Sequence, residues 1–189
     1  MRPRLRPWGF AALGTVLAAA ITWVSVCVVV IARPLVDELQ AVDAAYVIGP
    51  VEIRIDQALA IMDTGVAPVL LSTISVNPDT GAHYATEHCG LQTAAYRVEC
   101  VLPEPYTTRG EARTLAAHVT EHDWSRVAVM TSTPHAARTR MLMERCLGDD
   151  VEVLVWTTDD HVDRSARAWA GSFVYESAAW VKAQVLRDC

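Results

Sequence analysis

The sequence predicts an α/β chain, a Rossmann-like parallel sheet of about five strands with helices on both faces, preceded by one N-terminal transmembrane helix. Two observations carry this expectation. Short apolar runs at 42–48, 67–71, 97–102, 127–130 and 151–156 alternate with helical stretches; runs that apolar are the mark of strands buried on both faces, which in turn need helical crossovers. Ahead of them, residues 9–32 form 24 consecutive positions without a charge, and all 22 acidic residues lie beyond that stretch.

A helix rising about 1.5 Å per residue needs roughly 20 apolar residues to cross a bilayer core of about 30 Å, so residues 9–32 can span. Arg2, Arg4 and Arg6 precede the segment, whereas Arg33 is followed by Asp37 and Glu38. The positive-inside rule therefore puts the N-terminus in the cytoplasm and the remaining domain outside the plasma membrane. The resulting division is a basic cytoplasmic N-terminus at 1–8, a signal-anchor helix at 9–32, a linker at 33–42 and an extracytoplasmic domain at 43–189. A cleaved signal peptide shares the basic-then-apolar order, but its apolar region is typically about 7 to 15 residues, shorter than this one. Trp8 and Trp23 fit either reading, and only Trp8 sits where an interfacial aromatic is expected.

The chain is 52% hydrophobic with a net charge of −6, too apolar for disorder and too charged for a multi-span membrane protein. Beyond residue 32 there are 13 basic and 22 acidic side chains, a net −9. That balance argues against nucleic acid as a partner, because binding it requires Lys and Arg to displace phosphate counterions.

Cys27 falls within the apolar segment, leaving Cys89, Cys100, Cys146 and Cys189 without a C-x-x-C pair. Two disulfides suit an oxidising compartment, and four cysteines allow three pairings. Cys89–Cys100, closing a short loop, and Cys146–Cys189, tying the chain end to an internal helix, are the expected ones; four buried thiols are the alternative. His83, His88 and Cys89 lack matched carboxylates or a second cysteine pair, so no metal site is assigned.

The first run ends at Gly49-Pro50 and leads into a mostly apolar helix with Ile53, Leu59 and Ile61, in which Arg54 is a conspicuous charge. The second strand follows, then residues 75–93, which have no clear period and read as a long surface loop. After the third strand, Pro103 and Pro105 break the chain. Thr108 and Glu111 form a capping-box pattern opening a helix to about His122, with Ala112, Leu115, Ala116 and Val119 on one face. The fourth strand leads through Thr131, Ser132, Thr133 and Pro134 into a helix with Ala137, Met141, Leu142 and Cys146 inward; proline suits a first helical turn. The fifth strand precedes a terminal helix at 165–186 anchored by Trp169, Phe173, Trp180 and Val185.

In an open parallel sheet, ligands bind beyond the carboxyl ends of the strands near a switch in strand order. The exit of the fourth strand is the richest such place. Thr131 and Ser132 stand at a helix N-terminus, where free amides favour anions, and His135 and Arg138 follow one turn apart. His135 is suited to proton transfer near neutral pH and Arg138 to a bidentate grip on phosphate or carboxylate. A bland alternative is Ser/Thr capping beside a solvated His and Arg. Thr108, Arg109, Gly110 and Glu111 make a second cluster, although a capping box explains Thr108 and Glu111 without a ligand. Gly49 would admit a ligand close to the first strand, and Ser72 stands at the second strand's exit. No G-x-G-x-x-G or P-loop is present. Asp159, Asp160 and His161 read as a polar turn.

In order, these pieces resemble the ElyC/SanA/YdcF family of bacterial envelope-associated proteins, over about residues 43–156. The family pattern has a strand ending V-[LI]-G, an Arg, an S-G-G turn, a Thr/Glu turn and T-S-x-x-H-x-x-R. Val47-Ile48-Gly49, Arg54, Thr108, Glu111 and the run from Thr131 through His135 to Arg138 fall on it. Where the family has Ser-Gly-Gly, this chain has Ser72-Thr73-Ile74 and a cysteine-bearing loop. The resemblance implies a Rossmann-like fold, a membrane tether and a role in envelope biogenesis or barrier integrity. It names no reaction and no cofactor. Two expectations follow. One is a binder or enzyme for a phosphate-bearing envelope precursor or nucleotide, with Arg54, Arg109 and Arg138 on the anion and His135 and Glu111 as the candidate catalytic pair. The other is a non-catalytic envelope interaction module.

Overall fold

The computed structural model describes residues 7–159 and 162–189. Arg2, Arg4, Arg6, the side chain of Trp8, Asp160 and His161 lie outside the described residues. The chain opens with α1 (Pro7–Cys27), continued by one π-helical turn at Val28–Ala32. Within it, Leu13–Ala32 is long and apolar enough to cross a membrane. Most of its side chains are exposed, but Cys27 and Ile31 are buried. The end of this helix is therefore docked on the domain.

Among the described residues seven strands follow: β1 (Ala44–Val47), β2 (Val69–Thr73), β3 (Ser75–Val76), β4 (His83–Tyr84), β5 (Arg97–Val101), β6 (Arg126–Thr131) and β7 (Glu152–Thr157). Five of them form one parallel sheet in the order β5-β2-β1-β6-β7. The order reverses between β1 and β6, and their exits face a common crevice. The helices are α2 (Ile55–Met62), α3 (Thr108–His122), α4 (Ala136–Leu147) and α5 (Ala166–Val185). Strand side chains alternate between two cores. Ala45, Val47, Leu70, Val98, Met130 and Trp156 pack with Ala58, Ile61 and Met62 of α2 on one face. Tyr46, Leu71, Val127 and Val129 pack with Ala112, Leu115 and Val119 of α3 and Met143 of α4 on the other. Burial on both faces is why these strands read as unbroken apolar runs rather than alternating ones.

Several local expectations are corrected. Residues 75–93 are not a structureless loop, because β3 and β4 pair as a small antiparallel hairpin. The buried residues of α4 are Ala136, Arg138, Thr139, Leu142 and Met143, whereas Ala137 and Met141 sit on its flanks. In α5, Val185 is 75% exposed and the fully buried side chain is Glu176. Trp169, Phe173 and Trp180 are only half-buried. A helix held by a buried carboxylate gives no sign of that in a hydrophobic pattern.

Both expected disulfides form. Cys89–Cys100 has its Cα atoms 5.4 Å apart and fastens the loop after the hairpin to β5. Cys146–Cys189, at 5.3 Å, fastens the chain end to α4. Cys27 is a free, buried thiol.

Candidate functional site

The β1 exit turns sharply at Gly49 and Pro50 through a cis peptide, and Val51–Ile53 form one 3-10 turn before α2. That turn exposes Ile53, at 69%, and buries Arg54, at 2%. The guanidinium reaches back to donate to the carbonyls of Ile48, at 2.6 Å, and Gly49, and across the switch point to Ser132 Oγ at 3.1 Å. Its Nε has no protein partner. Burial lowers its pKa to about 10, opposed by the neighbouring charges of Glu111, Asp159 and Glu52. Arg54 thus ties the exits of β1 and β6 together.

Glu111 occupies the same crevice from the other side of the sheet. It is buried, and its Oε1 accepts from the Gly49 amide at 2.7 Å and from Thr73 Oγ1 at 3.1 Å. Burial raises its pKa above the usual carboxylate value, and the hydrogen bonds and the charges of Arg54 and Arg138 only partly offset this. Glu111 is consequently not the capping residue its position suggested. Thr107, one residue earlier than expected, caps α3 by accepting from the Gly110 amide at 3.2 Å. The reason lies in the sheet: the Gly49 amide and the Thr73 hydroxyl draw the carboxylate inward. Gly110 is likewise used internally, since a Cβ there would lie 1.9 Å from the Pro105 carbonyl oxygen.

The β6 exit places Ser132 beneath Arg54, then a 3-10 turn at Thr133–His135 and the start of α4. Two carboxylates from later in the chain meet this turn. Asp159 Oδ1 accepts from both the amide and the hydroxyl of Thr133 at 2.7 Å, and Oδ2 accepts from Arg164 at 2.5 Å. Although burial opposes ionisation, the bonds from Arg164 and Thr133 lower the pKa of Asp159. The helix-start amide expected to hold an anion therefore holds one supplied by the chain itself.

Glu176 is the second. Arg138 grips it with Nε on Oε2 at 2.7 Å and a terminal nitrogen on Oε1 at 3.1 Å, and His135 Nδ1 also bonds Oε1. Burial would raise the Glu176 pKa, yet the hydrogen bonds from His135 and Arg138 hold it below its ordinary value. With Nδ1 donating to a carboxylate, Nε2 is the imidazole nitrogen left to accept a proton. The remaining Arg138 terminal nitrogen meets Thr108 Oγ1 at 3.4 Å.

Two cavities flank this cluster. One of about 320 Å³ is lined by His135, Gly171, Ser172, Tyr175 and Glu176. The other, of about 640 Å³, lies between α3 and α5 and carries four cationic side chains, Arg109, Arg113, Arg138 and Lys182, against the single carboxylate of Asp188. Thr108 and Tyr106 line it too. Asp188 engages Arg109 at 2.9 Å and Arg113 at 3.1 Å, and Arg109 also donates to the Leu186 carbonyl. Behind Tyr106 lie Gly49 and Glu111, for a Cβ on Gly49 would come within 2.8 Å of the Tyr106 hydroxyl.

The structure thus brings Gly49, Arg54, Glu111 and Ser132 into one buried group and Thr108, Arg109 and Arg138 onto one cleft, with His135 beside it. Ser72 belongs to neither. It faces the α2 side of the sheet, and its hydroxyl meets His88 Nε2 at 2.7 Å. Thr131 Oγ1 is buried without a hydrogen-bond partner. Both sulfurs in the cluster of His88, Cys89 and Cys100 are joined to each other. Sequence reasoning missed Thr73, Asp159 and Glu176. Thr73 and Asp159 left a signal, as polar residues at strand exits; Glu176 contacts the site from 38 residues beyond Arg138. No family model, no curated protein and no solved structure matches the chain.

Proposed function

We propose that this is a membrane-tethered envelope protein, N-terminus in the cytoplasm and domain outside the plasma membrane, whose strand-end site binds a small phosphate-bearing molecule, such as an envelope precursor or a nucleotide. The observation that carries the reading is the cleft with Arg109, Arg113, Arg138 and Lys182 around one carboxylate, in a domain that is otherwise strongly acidic. A concave cationic focus of that kind holds one small anion while the global charge repels long polyanions. Two disulfides support the outward orientation. In this reading Arg109, Arg113 and Lys182 bind the anion, Thr108 offers a hydroxyl, and Asp188 is displaced from the two arginines. His135 Nε2 and the Glu111 carboxyl, which keeps its proton to higher pH than an exposed one, are the groups for proton transfer.

A second reading is favoured by the internal pairing of Arg54 and Arg138: their bonds to Ile48, Gly49, Ser132 and Glu176 are what a purely architectural cluster would make. The domain would then be a non-catalytic interaction module. Thermal unfolding of the full chain in detergent with pyrophosphate separates the two. The binding reading expects a rise in Tm that is lost in Arg113→Ala and Lys182→Ala. An unchanged Tm across phosphate, pyrophosphate and nucleotides sinks it. His135→Ala with unchanged Tm but failed complementation of an envelope defect would assign chemistry to the imidazole.

A further inference from the structure

The terminal helix α5 has two unlike faces. One carries the buried Glu176 and Ala183 with the half-buried Trp169, Phe173 and Trp180. The other is a stripe of Ala170, Val174, Ala178, Val181 and Val185 at helical spacing, every one of them exposed, Val174 at 62% and Val181 at 66%. Arg167 and Lys182, both exposed, are the only cations in the helix, and its one acidic residue is the buried Glu176. Beyond residue 32 the chain carries a net −9, yet this 20-residue helix shows solvent no acidic side chain, and apart from Tyr175 and Gln184 its exposed side chains are apolar or basic. Single exposed apolar residues are ordinary, but a continuous stripe needs a partner.

The position of α1 names that partner. Trp23 Nε1 donates to Ser177 Oγ at 3.0 Å, and Cys27 Sγ lies 3.7 Å from the same hydroxyl. Ser177 borders the stripe, next to Ala178. Leu13–Ala32 is the stretch of the N-terminal helix long and apolar enough to cross a membrane, so its exposed apolar surface meets α5 beside the stripe.

We propose that α5 is an interfacial helix, its Ala170–Val174–Ala178–Val181–Val185 stripe resting in the same bilayer that α1 crosses, with Arg167 at the level of anionic head groups. The inference rests on the membrane reading of α1. Apolar area and basic residues on one helix act together in such binding. The contact would also fix the α3–α5 cleft, one wall of which is α5, at the membrane surface.

The test uses the full chain in nanodiscs of phosphatidylethanolamine and phosphatidylglycerol, with a fluorescent amino acid in place of Leu17, Glu121, Val174 or Val181, one at a time. Lipids doxylated near the head of the acyl chain are the quencher, and aqueous iodide is the counterpart. The expected result is loss of about half or more of the signal to doxyl lipid at 17, 174 and 181, with 121 quenched only by iodide. Quenching at 17 but not at 174 and 181 overturns the inference and leaves the span standing. Absence of lipid quenching at all four positions overturns both. Shielding of 174 and 181 from both quenchers would mean that protein covers the stripe, and overturns it as well.

Discussion

Arg138 and Glu176 form a two-pronged ion pair, 2.7 and 3.1 Å, in which the carboxylate is fully buried and the guanidinium nearly so. It joins α4 to α5, and His135 shares the same carboxylate. Removing one member of such a pair strands the other charge without solvent, typically at about 3–5 kcal/mol, whereas apolar replacement of both often costs little. Glu176→Gln should therefore lower stability by about 3 kcal/mol or more. The double variant Arg138→Met/Glu176→Leu should be more stable than Glu176→Gln alone. Urea unfolding of the three proteins checks the order; a Glu176→Gln midpoint equal to wild type would deny the pair its role in seating α5.

Gly110 has an ordinary helical backbone, so its requirement is one of space. The Cβ of an alanine would stand 1.9 Å from the Pro105 carbonyl oxygen, a backbone atom that no rotamer change can move. Gly110→Ala should destabilise by about 1–3 kcal/mol, as overpacking does. Gly49→Ala meets the Tyr106 hydroxyl at 2.8 Å instead, the far end of an exposed side chain. It should cost less stability but push Tyr106 off the Glu111 crevice. Paired melting curves distinguish them, with the larger fall expected for Gly110→Ala.

Strand runs and the α3 span were legible in the sequence because each depends on nearby residues, a strand buried on both faces being apolar throughout; the disulfides, one of them joining residues 43 apart, were legible because four cysteines allow only three pairings. The site was legible only as a set of candidates. Arg54 was conspicuous as a charge on an apolar helix, yet its carbonyl partners at Ile48 and Gly49 follow from the fold of the turn. Glu111 looked like half of a capping box, since sequence spacing carries no knowledge of the Gly49 amide and Thr73 hydroxyl that the sheet sets before it. Glu176 and Asp159 arrive from distant segments to meet cations and amides at the β6 exit, and local pattern does not encode such meetings.

The Cys89–Cys100 bridge closes a loop with a sequence separation of 11 and holds His88 against Ser72. Chain-entropy reasoning gives a loop of that length about 3 kcal/mol. Cys89→Ser/Cys100→Ser should lose about that much, and amide exchange should rise through 83–92 with little change at β6 and β7. Equal exchange across the whole domain would instead mark the bridge as a global staple.

Glu111 and His88 should give the stability curve opposite slopes in pH. The Glu111 pKa is raised by burial, so the folded state holds its proton more tightly than the unfolded chain, and stability falls as pH climbs from about 4.5 toward the raised value. The His88 pKa is lowered by burial, so its contribution is complete above about 6.5 and drains away as pH falls toward the lowered value. Glu111→Gln keeps an amide oxygen for the Gly49 amide and Thr73 and removes the first slope. It should gain on wild type as pH rises above 4.5. His88→Gln removes the second and should gain on wild type as pH falls below 6.5. Urea midpoints between pH 4.5 and 8 measure both differences. Parallel curves for wild type and Glu111→Gln would mean that the crevice leaves the Glu111 proton as loosely held as in water, and would remove it from the proton-transfer pair.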